Sequence, residues 1–380
     1  MKIKNKNSGS KIILYAVVIF IALSSSCQRK IVNRNVDIYK PLSISKNFTN
    51  IPEKGIKSLL KWRKTIYGAP GNRFYQNKDY IYLGTRTGRF LMLDPVTGRK
   101  IKKRVVVKNV DINVLLADTI LLAGIKTGKN TLQAFDSRSR KVLWKKNVGI
   151  ISTELVPFST DFFVGTESGS ILLINSRNGK IIWKRYLKSR IKGIVLQGDF
   201  RVVVTVNNGT VFSIATSDGS VLWKNKLSGK IFAEPCVDML KIFAATDNGS
   251  VYCLSSDSGS VLWKIRVQGG VFQSLISKRG KIFFSTTRAF LYSLKSISGE
   301  ILWKTKLSSI AGTNPVVNKN ILFIGTFDGK LLLIDTVIGK IITWAELKGK
   351  VCTDPCINGN MVITGTDKGK LYGFKIVGNR

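Results

Sequence analysis

Residues 233–264 read AEPCVDMLKIFAATDNGSVYCLSSDSGSVLWK, and this stretch decides the fold. Pro235-Cys236-Val237 is a short apolar run followed by a turn. Lys241-Ile242-Phe243-Ala244-Ala245-Thr246 reads as a strand, closed by Asp247-Asn248-Gly249. Ser250-Val251-Tyr252-Cys253-Leu254 alternates and reads as a third strand. Asp257-Ser258-Gly259 turns the chain into a fourth, Ser260-Val261-Leu262-Trp263-Lys264. Four short strands between glycine turns, in a unit of about 40 residues, predict one β-propeller blade.

The unit repeats along the chain. Tryptophans stand at 62, 144, 183, 223, 263, 303 and 344, with gaps of 82, 39, 40, 40, 40 and 41. The first gap is two periods. Aligning Gly98–Lys102 with Gly179–Trp183 puts Lys102 in the missing slot, so the spacing predicts eight registers, ending at Trp344. Glycines 88, 128, 169, 209, 249, 329 and 369 supply a positive φ between second and third strands, and the sixth unit has Arg288-Ala289 there. The last unit stops after its third strand, Leu371–Phe374, whereas Leu59–Arg63 is a fourth strand with none before it. Each end has what the other lacks. The expected fold is all-β, an eight-bladed propeller of four-stranded antiparallel blades over 56–380, closed by pairing the N-terminal strand with the C-terminal blade.

Composition narrows the chemistry. The 380 residues contain no histidine, which removes histidine triads, histidine metal sites and imidazole acid–base catalysis. Lys plus Arg is 61 against 22 Asp plus Glu, a net charge of +39. Residues 1–26 carry Lys2, Lys4, Lys6 and Lys11, then the uncharged run Ile12–Leu23 and three serines, and read as an export signal. Without it the balance is 57 − 22 = +35. An exported chain so basic is expected to meet anionic envelope partners rather than nucleic acid. Four cysteines lie beyond Cys27, at 236, 253, 352 and 356, in strands too far apart to pair, so they are expected to be free. Residues at the start of each innermost strand, Asn113, Glu154, Gly193, Glu234, Ser274, Asn314 and Asp354, fall at matched positions facing a central channel. Glu154, Glu234 and Asp354 read either as a sparse acidic ring for a cation or cofactor or as the turn chemistry of residues before proline.

Two resemblances add to this reading. Leu23-Ser24-Ser25-Ser26-Cys27 resembles a bacterial lipobox, which makes Cys27 the lipidated first residue of the mature chain, with 27–55 a tether. Ala134-Phe135-Asp136 before Trp144, and the spacing of a small residue, Gly and Trp in Ser213…Gly219…Trp223, resemble the tryptophan-docking motif of quinoprotein-type propellers. By that resemblance Trp144, Trp183, Trp223, Trp263 and Trp303 are structural docking residues. Quinoprotein dehydrogenases share the blade, but they are longer and use a Ca²⁺ cage and often a vicinal cysteine pair, absent from this sequence.

Lipobox, tether and eight-bladed propeller together resemble the BamB-like family of outer-membrane β-barrel assembly lipoproteins. That resemblance implies a non-catalytic, periplasm-facing lipoprotein scaffold, lipid-anchored through Cys27 in the outer membrane, which assists assembly and insertion of β-barrel proteins. Its implied partners are periplasmic domains of the barrel insertase or unfolded barrel clients, met as a monomer within a complex, with no cofactor, metal or catalytic residue. Arg190, Ile191, Lys192 and Gly193 resemble the family's partner-binding segment, while Ser228-Gly229-Lys230-Ile231 lacks the acid of the next one. The alternatives are an envelope module binding an anionic polymer or acidic partner, and a quinoprotein-type enzyme.

Overall fold

The computed structural model describes residues 60–376, apart from 107–111, 118, 126–127, 138 and 140. The expected signal 1–26, Cys27 and the tether 27–55 lie outside the described residues. Thirty-two strands, β1 (Leu60–Thr65) to β32 (Lys370–Lys375), form eight four-stranded antiparallel sheets, with no helix among the described residues. Seven sheets are consecutive in the chain. The eighth runs β1, β32, β31 (Met361–Thr366), β30 (Val351–Asn358) and closes the ring. Its seam pairs Leu60 with Phe374, Arg63 with Tyr372 and Thr65 with Lys370.

The core lies between blades. One apolar cluster joins Phe243 and Cys253 of blade five to Ile282, Phe284 and Tyr292 of blade six. Another joins Ile81, Leu83 and Leu91 of blade one to Met361, Ile363 and Leu371 of blade eight, so the closing seam is packed like any other. Middle strands are therefore buried on both faces and read as continuous apolar runs, as in Lys241–Ala245. Outermost strands are exposed except at the tryptophan slot, as in Val221–Lys226.

At that slot each indole reaches the next blade. Trp183 donates from Nε1 to the Thr216 carbonyl at 2.8 Å, Trp223 to Ser256 at 2.7 Å and Trp303 to Thr336 at 3.1 Å. Trp144 and Trp263 do the same to Ser176 and Ser296, and Trp62 to Pro95. The ring lies on a glycine of the receiving blade. A Cβ on Gly219 would come within 2.6 Å of the Trp183 ring, and one on Gly179 within 2.7 Å of Trp144. Lys102 fills the slot in blade one, and its ammonium donates to the Ser137 carbonyl at 3.0 Å in place of the indole N–H.

The eighth register is corrected. In blade seven Thr343, not Trp344, pairs with Leu333 at the slot position. A one-residue offset sends a strand side chain to the opposite face, and Trp344 is accordingly 39% exposed. The 41-residue gap was the sign of it, since 40 residues from Trp303 is Thr343.

Candidate functional site

The innermost strands bring the matched residues together around the axis, and the ruler gains one residue that the sequence reading missed. Forty residues before Asn113 stands Arg73, the blade-one member of the same set. Its guanidinium crosses the channel. Nη2 lies 2.5 Å from Glu234 Oε2 of blade five, and Nε lies 3.2 Å from Asp354 Oδ2 of blade eight. The acids are thus joined by a cation rather than standing as an open ring.

The pairing continues from blade to blade. Ser274 Oγ donates to Glu234 Oε2 at 3.5 Å, and the Ser274 amide donates to Asn314 Oδ1 at 2.7 Å. Asn314 donates to Asp354 through both its amide and Nδ2 at 2.8 Å. With Arg73 this is a closed circuit through blades five, six, seven, eight and one. Glu234 most of all, and Asp354 and Glu154 further off, hold the guanidinium charged beyond its ordinary range against the cost of burial. Burial pushes the Asp354 carboxyl up, and Arg73 opposes that shift. Beside the circuit lies a cavity of about 660 Å³ lined by Arg73, Phe74, Ser274, Asn314, Cys236 and Cys356 among others.

The segment Arg190–Gly193 opens the fourth blade's first strand, Ile191–Gln197, with Gly193 at the matched channel position. Arg190 pairs with Glu167 at 2.8 Å. Ile191 is fully buried in an inter-blade cluster. Lys192 stands 4.8 Å over the Phe232 ring, which packs against Phe272 at 4.7 Å. Burial, aided by Arg190, pulls the Lys192 ammonium down to about 8. Gly193 faces Glu234 and Pro235, where a side chain would clash. Arg190, Lys192 and the Phe232–Phe272 pair are half-buried and offer part of the surface here.

The four cysteines of the described residues form no disulfide. Burial pushes the Cys236, Cys253 and Cys356 thiols up to about 12. Among the described residues no group of three or more His, Cys, Asp or Glu side chains could hold a metal ion.

Comparison with known proteins agrees with this architecture. No curated protein matches the sequence. A computationally designed protein, Ika8, is 18% identical with a TM-score of 0.73, covering 82% of this chain and 98% of its own. BamB from Moraxella catarrhalis is 16% identical with a TM-score of 0.70, covering 83% and 100%. Quinohemoprotein alcohol dehydrogenase ADHIIG from Pseudomonas putida HK5 is 11% identical with a TM-score of 0.68, covering 84% and 76%. At these identities the likeness is one of fold. The family model described as outer membrane protein assembly factor BamB matches residues 128–230, 167–264, 207–303 and 288–377, most of the repeat array. On that match the chain belongs to the BamB family of PQQ-like repeat propellers.

Proposed function

We propose that this chain is a non-catalytic lipoprotein scaffold of the outer membrane, anchored through Cys27 and facing the periplasm, that assists insertion of β-barrel proteins. The observation that carries the reading is the family match across 128–377. Residue chemistry favours it over the quinoprotein alternative. A quinone site with a Ca²⁺ cage needs free carboxylates in the channel, and Glu234 and Asp354 are already paired with Arg73. The residues present do not fit that group.

Partner contact is assigned to the channel end that carries Arg190 and Lys192. Lys188, Lys226, Lys230 and Arg266 stand on the same end, so the fitting partner surface is acidic. Capture of the barrel insertase's periplasmic domains by the purified full chain tests the reading. Arg190→Gln with Lys192→Met, which removes both cations without adding a buried or repelling charge, is expected to lower capture at least tenfold in chains that remain folded. No capture by the unmodified chain would sink the scaffold reading.

A further inference from the structure

The turn between first and second strands recurs in blades three to eight, so these blades serve as controls for one another. Its left-handed residue is Ser159, Gly198, Arg279, Lys319 and Gly359 in blades three, four, six, seven and eight, with φ from 51° to 61°. In blade five that residue is Met239, with φ 51°. Such a backbone position suits glycine, asparagine or a short polar residue, and a large apolar side chain gains nothing from it. Nor does solvation favour it, because Met239 is 88% exposed. Leu240 beside it is 68% exposed, and Phe200 in the same turn of blade four is 83% exposed. Gln197 Nε2 donates to the Met239 carbonyl at 3.2 Å and ties the two turns together. One exposed apolar residue is ordinary, but three at adjacent tips mark an interaction site.

We propose that Phe200, Met239 and Leu240 form a wedge that enters the headgroup boundary of an anionic lipid surface. The patch protrudes from turn tips, which suits insertion between headgroups. The next two turns round the ring supply exposed cations, Lys278, Arg279 and Lys319. Of the nearby acids, Asp257 pairs with Arg201 at 2.8 Å, Asp238 accepts from Ser277 Oγ at 2.6 Å, and Asp218 is exposed in the adjoining turn. Asp199 is exposed beside Phe200.

The position of the chain's N-terminal side favours lipid as the occupant. Leu60 pairs with Phe374, near the end of a third strand. Third strands end on the side of the first-to-second turns, as the Ser256 amide donating to the Leu240 carbonyl illustrates. Leu60, which follows Cys27 by 60 − 27 = 33 residues, therefore lies on the side that bears the wedge. Those residues span at most about 3.3–3.6 Å each. An anchor on that tether raises the effective concentration of the wedge at the bilayer, so weak intrinsic affinity suffices. The occupant thus rests on the anchored reading above. Docked this way, the propeller turns its Arg190–Lys192 end away from the membrane, toward a periplasmic partner.

The test labels the full chain with an environment-sensitive dye at Asp199→Cys, beside the wedge, or at Arg288→Cys, in a turn on the opposite side. Each is mixed with phosphatidylethanolamine–phosphatidylglycerol vesicles containing headgroup-level nitroxide lipid. At least threefold quenching at position 199 and little at 288 is expected. Phe200→Ser, Met239→Asn and Leu240→Ser together should bring the first signal down to the second, and Asn tolerates the backbone at 239. Binding of vesicles with equal quenching at both positions, or none at 199, overturns the wedge and leaves the scaffold reading standing. Protection of the label only by added insertase domains also overturns it, in favour of protein docking. Strong quenching at 199 with no insertase capture would keep the wedge and remove the scaffold.

Discussion

The same 40-residue ruler runs along the rim and along the axis, with opposite results. At the rim the slot is tryptophan in six of eight blades, Lys102 and Thr343 being the exceptions. At the axis the eight matched residues are Arg73, Asn113, Glu154, Gly193, Glu234, Ser274, Asn314 and Asp354. The rim repeats because every blade faces the same packing problem: an indole must reach a carbonyl and lie on a glycine of its neighbour. The departure at Lys102 obeys the same logic. Its ammonium still reaches a carbonyl of the neighbouring blade, that of Ser137. At the axis no such demand applies, so side chains differ and pair across the channel.

The comparison breaks most sharply at the rim. Trp223→Ala removes a buried indole, its contact with Gly259 and its bond to the Ser256 carbonyl. Truncating a buried aromatic costs about 3–5 kcal/mol. Thermal or urea unfolding is expected to show that loss, while insertase capture falls only in proportion to the folded fraction. Capture lost by a fully folded variant would make the rim functional and erase the distinction.

The axis should respond less, and differently. Arg73→Met leaves Glu234 and Asp354 without their shared cation. The three side chains are 16–32% exposed, so water recovers part of the interaction, and a cost of about 1–3 kcal/mol is expected. Adding Glu234→Gln and Asp354→Asn should restore most of it. Acid should restore it too. Asp354 is raised in the folded chain, so its contribution is full below the unfolded carboxylate range and lost as pH rises through the folded value. Without Arg73 that folded value climbs further. The deficit of Arg73→Met is therefore expected to shrink between pH 7 and pH 4, and a constant deficit would mean that only packing was lost.

Lys192 titrates the other way. Its folded value lies near 8, below the ordinary lysine range, so its stability contribution is present above about 10.5 and lost as pH falls through about 8. Wild-type stability should gain a rising component across that window, and Lys192→Met should abolish it. An unchanged slope would place the ammonium in solvent and free of the Phe232 ring.

Blade count, strand order and closure were legible in the sequence because each rests on local pattern repeated eightfold. The exchange of strands between the ends could be read because blade eight lacked what Leu60–Thr65 supplied. Two things were not read. Trp344 stands one residue out of register: Ile341-Ile342-Thr343-Trp344 suits either alignment by hydropathy, the 41-residue gap points to Thr343, and pairing with β28 (Lys330–Asp335) decides. Arg73 was overlooked, although one further step of the ruler reaches it. What the ruler could not tell is that Arg73 bonds across the ring to Glu234, 161 residues away. Repeats specify neighbours, whereas a contact across a channel depends on its width and on side-chain reach.

The smallest effect tests the repeat where it is least regular. Seven blades place glycine before the third strand, with φ from 66° at Gly369 to 129° at Gly128. Blade six places Ala289 there, buried and at φ 56°. A left-handed L-residue costs roughly 1–2 kcal/mol, whereas glycine loses about 0.5–1 kcal/mol more backbone entropy on folding. The two nearly offset, so Ala289→Gly should raise stability by about 0–1 kcal/mol. The reverse change in blade five has no such balance. A Cβ on Gly249 would lie 2.5 Å from the Val267 carbonyl oxygen and 2.8 Å from that of Gly269, on top of the backbone strain. Gly249→Ala is expected to cost about 2 kcal/mol, read as a drop in urea midpoint at unchanged slope. Equal and small effects at both positions would mean that blade six is not an exception but that every blade tolerates a side chain there, and the glycine array would then reflect shared descent of the repeats rather than a demand of the turn.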